Sequence, residues 1–149
     1  MIRIAAFLIL GLILFSCGET YSEEEKSDFD KRIERYLKKK KIKCVRSSSG
    51  LYYKILDLGE GPMIKLKDRV QFTYKGTFLN GKVFDERKEP VEFDVQTLIG
   101  AWKEVMMYLR PGGKAFLVCP PQLGYGEHDL DDIPPNSILV FELEVKSVL

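Results

Sequence analysis

Six side chains have the types and placement to build a site. Tyr74 lies in "VQFTYKG", Phe84 and Asp85 adjoin in "VFDE", Trp102 is the only tryptophan, Tyr125 sits in "LGYGE" and Phe141 in "SILVFELEV". Each falls inside or beside a strand, helix or turn that faces the same interior. Five aromatic rings with one carboxylate hold no nucleophile. They can form an ordinary core with Asp85 as a cap, or a concave apolar pocket with a few polar handles. Trp102 is buried in either arrangement.

Residues for other chemistries are sparse. His128 is the single histidine, so a histidine-based metal site is not expected. The acidic stretch "GEHDLDD" reads as a solvated loop. "PGG" follows a helical segment instead of opening one, and no G-x-x-x-x-G-K cradle occurs. The serines lie in tethers and turns, which leaves a Ser or Cys nucleophile with His128 as base without support. Cys44 and Cys119 read as separate thiols, since nothing in their spacing demands a bond. Of 23 basic residues only Arg3 falls in the first sixteen positions, which leaves 22 basic against 22 acidic side chains. That balance is no footprint for nucleic acid, and "KKKKIK" reads as a solvated helix end. No cofactor is implied.

The elements that must position these residues follow from periodicity. The length suits one domain. "GETYSEEEKS" is polar and acidic and reads as a flexible tether. Asp28 is the N-cap candidate of a helix with Phe29, Ile33, Tyr36 and Leu37 at helical spacing. Its last turn carries lysines 38 to 41, where positive charge suits the helix dipole. The stripe should dock on the domain or on a second copy of the chain. Strands follow at Leu51 to Leu58 and over "RVQFTYKGTF". Asn80-Gly81 is a hairpin turn. "KVFD" and "VEFDV" read as short strands around a loop "ERKEP". Trp102, Val105, Met106 and Leu109 make one face of a short helix. "KAFLVC" is a strand. In "SILVFELEVKSVL", Leu139, Phe141, Leu143 and Val145 point one way and Glu142, Glu144 and Lys146 the other. The plan is α+β, an antiparallel sheet with one short central helix across a face.

The beginning is different. "MIRIAAFLILGLILFSC" has a basic start, an apolar run from Ile4 to Phe15 and a closing cysteine. The run is shorter than the roughly 20 apolar residues of a membrane span and has the length of a signal-peptide core. Leu14-Phe15-Ser16-Cys17 resembles the lipobox of bacterial lipoproteins, with Phe15 bulkier than usual. That likeness implies cleavage before Cys17 and acylation of it. The expected organisation is a signal peptide over 1–16, a lipidated Cys17 with its acidic tether over 17–27, a helix and linker over 28–48, and the catalytic-type domain over 49–149.

Several motifs in order resemble one family. "SGLYYKILDLGEGP", "VQFTYKGTFLNGKVFD", "EPVEFDVQTLIGAW", "LGYGE" and "IPPNSILVFELEV" are similar to the FKBP family of peptidyl-prolyl isomerases, in particular its exported, macrophage infectivity potentiator-like bacterial type. The resemblance covers about Ser49 to Leu149. It implies a sheet half-wrapped around the central helix, with the Trp102 indole as the floor of a prolyl pocket. By motif position, that pocket is Tyr74, Phe84, Asp85, Val91, Leu98, Ile99, Trp102, Tyr125, Ile133 and Phe141. The family often holds the aspartate with a tyrosine and an arginine, here Tyr74 and Arg87. The Tyr125 hydroxyl and the Ile99 N–H would fix substrate carbonyls.

The chain departs from that pattern in places. "ERKEP" is shorter than in exported relatives, which puts the reach from Arg87 to Asp85 in question. Ala101 replaces a glycine before Trp102, Glu104-Val105-Met106 adds bulk on the helix, and Asp129, Asp131 and Asp132 make the loop before Ile133 acidic. The implied activity is isomerisation of X-Pro bonds in exported proteins. Implied partners are prolyl segments, the lipid membrane and macrolide inhibitors of the family. The implied location is the bacterial envelope, at the outer membrane facing periplasm or cell surface. The competing readings are a binding module or chaperone of this fold in an envelope complex, and a metal or redox enzyme using His128, Cys44 and Cys119.

Overall fold

The computed structural model describes residues 20–149. The expected leader and Cys17 lie outside the described residues. Helix α1 spans Glu23–Lys40 and α2 Gly100–Met106. The strands are β1 Val45–Arg46, β2 Tyr52–Asp57, β3 Arg69–Phe78, β4 Val83–Asp94, β5 Lys114–Cys119 and β6 Leu139–Val148. They form one sheet in the order β1-β2-β5-β6-β3-β4, with every neighbouring pair antiparallel. Among the described residues no helix is long and apolar enough to cross a membrane.

Strand alternation divides the apolar residues between two cores on opposite faces. On β5 and β6, Ala115, Leu117, Cys119, Leu139, Phe141, Leu143 and Val145 join the larger core with α2. Their neighbours Phe116, Val118 and Val140 join a smaller core with Phe29, Ile33 and Leu37 of α1. The stripe of α1 therefore docks on this domain, as one of the two expected alternatives has it. Beyond Val140 that face carries Glu142, Glu144 and Lys146, and Lys146 pairs with Glu144 at 2.7 Å.

Two sequence expectations are corrected. Asp28 is not the N-cap. The helix starts earlier, with Ser22 accepting from the Glu25 N–H and the Glu25 carboxylate accepting from the Ser22 N–H. This is a capping box, and Glu23, Glu24 and Glu25 face the positive end of the helix dipole. The acidic run is therefore a helix start and not tether, and Tyr21 just before it is buried.

The second correction concerns "ERKEP", which is not a loop. β4 runs through it, pairing Arg87 with Tyr74 and Glu86 with Lys75. Between the pairs Phe72–Val91 and Tyr74–Arg87, β3 advances two residues and β4 four. The surplus bulges at Lys88 to Pro90. β4 is the sheet edge, where a proline costs no ladder bond and a bulge is tolerated. The Asn80-Gly81 turn forms as read, with Gly81 at φ +88° and the Phe78 N–H donating to Lys82 O at 3.0 Å.

Ile33 is fully buried where α1 meets the sheet. Truncating it removes buried methylenes without touching the larger core. Ile33→Ala should lower the unfolding free energy by about 2–4 kcal/mol, as measured by urea titration. A loss below about 0.5 kcal/mol would mean that α1 does not dock in solution.

Candidate active site

The floor is built first. α2 has seven residues, too few to persist alone. It is held because Ala101, Trp102, Val105 and Met106 are all fully buried. Three rings surround the indole. Phe72 meets it edge-on at 5.4 Å between centroids, Tyr74 at 4.7 Å and Phe141 at 5.0 Å. Edge-to-face contacts of this kind add about 0.5–1.5 kcal/mol each beyond burial. Trp102 Nε1 is buried, with no hydrogen-bond partner among the described residues.

The wall follows from the register. Phe84 meets Phe141 edge-on at 5.6 Å and leans on Phe78 at 5.1 Å. Gly76 lies between them, opposite Asp85 on one side and Phe141 on the other. A Cβ at Gly76 would come within 2.5 Å of Phe84 Cζ and 2.9 Å of Phe141 Cε1. The missing side chain is what lets the two rings approach. Leu98, Ile99 and Ile133 are buried in the same core, with Val91 half-buried against it.

Polar groups sit at the rim. Tyr74 Oη donates to Asp85 Oδ2 at 2.5 Å. The Tyr74–Arg87 register brings Arg87 Nε to 3.9 Å from Asp85 Oδ1. The shortened segment therefore still delivers the arginine, because it is paired strand. Burial and then the bond to Asp85 raise the Tyr74 hydroxyl well above its ordinary value, with Arg87 opposing. Tyr125 follows the short helical turn Pro121–Leu123. Burial, then the nearby Cys119 and Asp85, push it up to about 12. Both phenols are therefore neutral donors at physiological pH. The Tyr125 hydroxyl has no acceptor among the described residues, and no carbonyl takes the Ile99 N–H.

Tyr74, Phe84, Asp85, Trp102 and Phe141 are thus linked by direct contacts. Phe72, Gly76 and Phe78 complete the arrangement and were not singled out from sequence. Phe72 shares a strand face with Tyr74, and a glycine inside a strand signals a close approach, so both signals were present. A polar cleft of about 850 Å³ also borders Tyr125, lined among others by Asp30, Arg46, Gln122 and His128. The aromatic cluster around Trp102, with Tyr74 bonded to Asp85, lies apart from the residues that line this cleft. Among the described residues no group of three or more His, Cys, Asp or Glu could hold a metal ion. Cys44 and Cys119 are free thiols.

Gly76→Ala should push Phe84 off Phe141 while β3 stays paired. The expected result is an altered near-ultraviolet dichroism and tryptophan emission, with a stability loss of about 1–3 kcal/mol. Unchanged aromatic signals would show that the rings do not depend on this glycine.

Residues 61–146 match the family described as FKBP-type peptidyl-prolyl cis-trans isomerase. A Haemophilus influenzae protein named "Probable FKBP-type peptidyl-prolyl cis-trans isomerase" is 42% identical over 135 residues, spanning 88% of this chain and 55% of that protein. The peptidyl-prolyl cis-trans isomerase Mip of Coxiella burnetii is 37% identical over 105 residues, spanning 68% of this chain and 46% of its own. The crystal structure of FkpA from Escherichia coli aligns with a TM-score of 0.73 at 37% identity, covering 85% of this chain and 62% of that one. The chain spans about half the length of the curated relatives it matches. The family pattern runs through α2 and most of the sheet, and on that match the chain belongs to the FKBP-type peptidyl-prolyl cis-trans isomerase family.

Proposed function

We propose that this chain catalyses cis–trans isomerisation of X-Pro amide bonds in exported proteins, by binding the twisted amide better than the flat one. The observation that carries this reading is the aromatic floor of Trp102, Phe84 and Phe141 beside a rim of Asp85, Tyr74 and Tyr125. Resonance keeps the amide planar, with a barrier of roughly 18–20 kcal/mol. Twisting removes the resonance, makes the nitrogen pyramidal and reduces the polarity of the carbonyl. An apolar pocket disfavours the polar planar amide more than the twisted one, so it lowers the barrier without proton transfer or a covalent bond. About 5 kcal/mol of such preference gives nearly four powers of ten in rate.

The prolyl ring would sit on Trp102 with Val91 and Ile133 at the sides. The free hydroxyl of Tyr125 and the free N–H of Ile99 would hold flanking carbonyls. Asp85, pinned by Tyr74, would face the carbonyl carbon or orient polar groups at the rim. The same apolar floor suits the macrolide inhibitors of the family.

The test uses the full chain in mild detergent on X-Pro peptides that vary the residue before proline. Acceleration is expected, with Asp85→Ala and Trp102→Leu each reducing kcat/KM at least about tenfold while the far-ultraviolet dichroism is kept. The rate should be flat from about pH 6 to about pH 9. Tyr125 is pushed up to about 12 and Tyr74 is raised as well, so both remain protonated donors throughout. A well-folded wild type without turnover would overturn this reading and leave a binding module or chaperone of this fold.

We further propose that Cys17 is acylated and holds the domain in the bacterial envelope, at the outer membrane. The cysteine directly follows Leu14-Phe15-Ser16 at the end of the apolar run. Several acyl chains at about 0.8 kcal/mol per buried CH₂ hold a protein firmly. Cys17→Ser should move the chain from the membrane pellet to the soluble fraction. Mass spectrometry of the wild type should find a lipid-modified Cys17 at the mature N-terminus, and an intact unmodified leader would refute the anchor.

A further inference from the structure

Tyr21 stands one residue before the N-cap of α1, in a stretch whose composition suggests tether, and is only 2% exposed. Its ring meets Phe29 edge-on at 5.3 Å. Its hydroxyl donates to Asn136 Oδ1 at 2.6 Å, across 115 residues of sequence. That contact needs a reason, because Asn136 lies far along the chain, in the loop before β6.

Asn136 closes the loop that carries two rim residues of the prolyl site. It adopts the left-handed conformation at φ 60°, a backbone that asparagine tolerates better than most residues. Its N–H donates to Gly126 O at 2.8 Å. Gly126, itself at φ +61°, directly follows Tyr125, and a Cβ there would meet Tyr21 Oη at 3.6 Å. Within the loop Leu130 and Ile133 bridge each other. The stretch from Glu127 to Asp129 and the pair Asp131 and Asp132 are exposed, and their like charges oppose compaction. Ile133 belongs to the larger core and Leu130 packs against it, which anchors the tip of the loop, while its ends close at Asn136, so a bond there bears on how the loop is seated. The Tyr21 end is rigid, since Tyr21 belongs to the core of Phe29, Ile33 and Phe116.

We propose that Tyr21 is a positioning residue of the prolyl site. Its hydroxyl, through Asn136, holds the loop that presents the Tyr125 hydroxyl and the Ile133 side chain. This inference rests on the isomerase reading above. It assigns α1 a part in substrate binding, carried by a residue that never touches substrate.

The experiment measures kcat and KM on one X-Pro peptide for the full chain, Tyr21→Phe, Asn136→Gly, Tyr125→Phe and the double variant of Tyr21→Phe with Tyr125→Phe. Tyr21→Phe keeps the ring on Phe29 and removes one oxygen. Asn136→Gly keeps the left-handed backbone and removes the acceptor. Each should lower kcat/KM by about three- to tenfold, the scale of one neutral hydrogen bond. The loss should appear mainly in KM, while the melting temperature stays close to that of the wild type. In the Tyr125→Phe background Tyr21→Phe should cause a clearly smaller loss, because the part that acts through the Tyr125 hydroxyl is already gone and only the part through Ile133 remains. An active wild type with unchanged kcat/KM in Tyr21→Phe and Asn136→Gly overturns the proposal. So does a Tyr21→Phe loss that multiplies undiminished onto Tyr125→Phe. A wild type with no turnover overturns the isomerase reading itself, and this inference with it.

Discussion

The burial of one indole organises the molecule. Trp102 is wholly inside, and it meets rings from β3 and β6 edge-on. For those rings to converge, β3 and β6 must be neighbours in one register, and they are, with Tyr74 opposite Leu143 and Gly76 opposite Phe141. For α2 to exist at all, its buried face must find that surface, since seven residues cannot sustain a helix unaided. The fold and the floor of the site are therefore the same set of contacts. A core residue that is also a floor residue cannot be varied for one role alone, and this is why the polar apparatus sits at the rim. Asp85, Arg87 and Tyr125 are only partly buried.

The glycine at position 76 is the geometric complement of that indole. Aromatic walls need close approach, and two rings can close over a strand only where that strand carries no side chain. The near contacts of a Cβ at Gly76 with both Phe84 and Phe141 express that constraint directly. The alternation of β3 then sets Phe72 and Tyr74 under the indole and leaves Lys75 outward, so one strand supplies floor, gap and the phenol that holds Asp85.

Much of this was legible in the sequence, wherever a local rule had no competitor. The strict alternation of β6 fixed both its faces, and the spacing of Trp102, Val105 and Met106 marked α2 despite its shortness. Two readings failed because composition outweighed geometry. The run Glu23 to Glu25 looked like solvated tether, yet Ser22 and Glu25 stand at capping-box spacing and acidic residues stabilise a helix start. "ERKEP" looked like a loop because charges and a proline weaken a strand, but an edge strand has a free side where both are tolerated. Tyr21 could not be placed from sequence at all. Its partner lies in a distant loop, and no periodicity links a residue before one helix to a residue before the last strand.

The two cores are not independent. β5 sends Phe116 and Val118 to the α1 face and Leu117 and Cys119 to the α2 face, and it runs directly into Pro120 and the turn that leads to Tyr125. Displacing α1 would therefore disturb the site by two routes, through the backing of β5 and through the Tyr21–Asn136 bond. The first route is stiff, because a packed strand transmits small shifts to everything it touches. The second is a single hydrogen bond at the mouth of an exposed acidic loop. A perturbation at the start of α1 would thus alter the rim before it altered the floor. The rim around Tyr125 is then the part most open to change from the N-terminal side, while the aromatic floor around Trp102 stays as β3 and β6 set it.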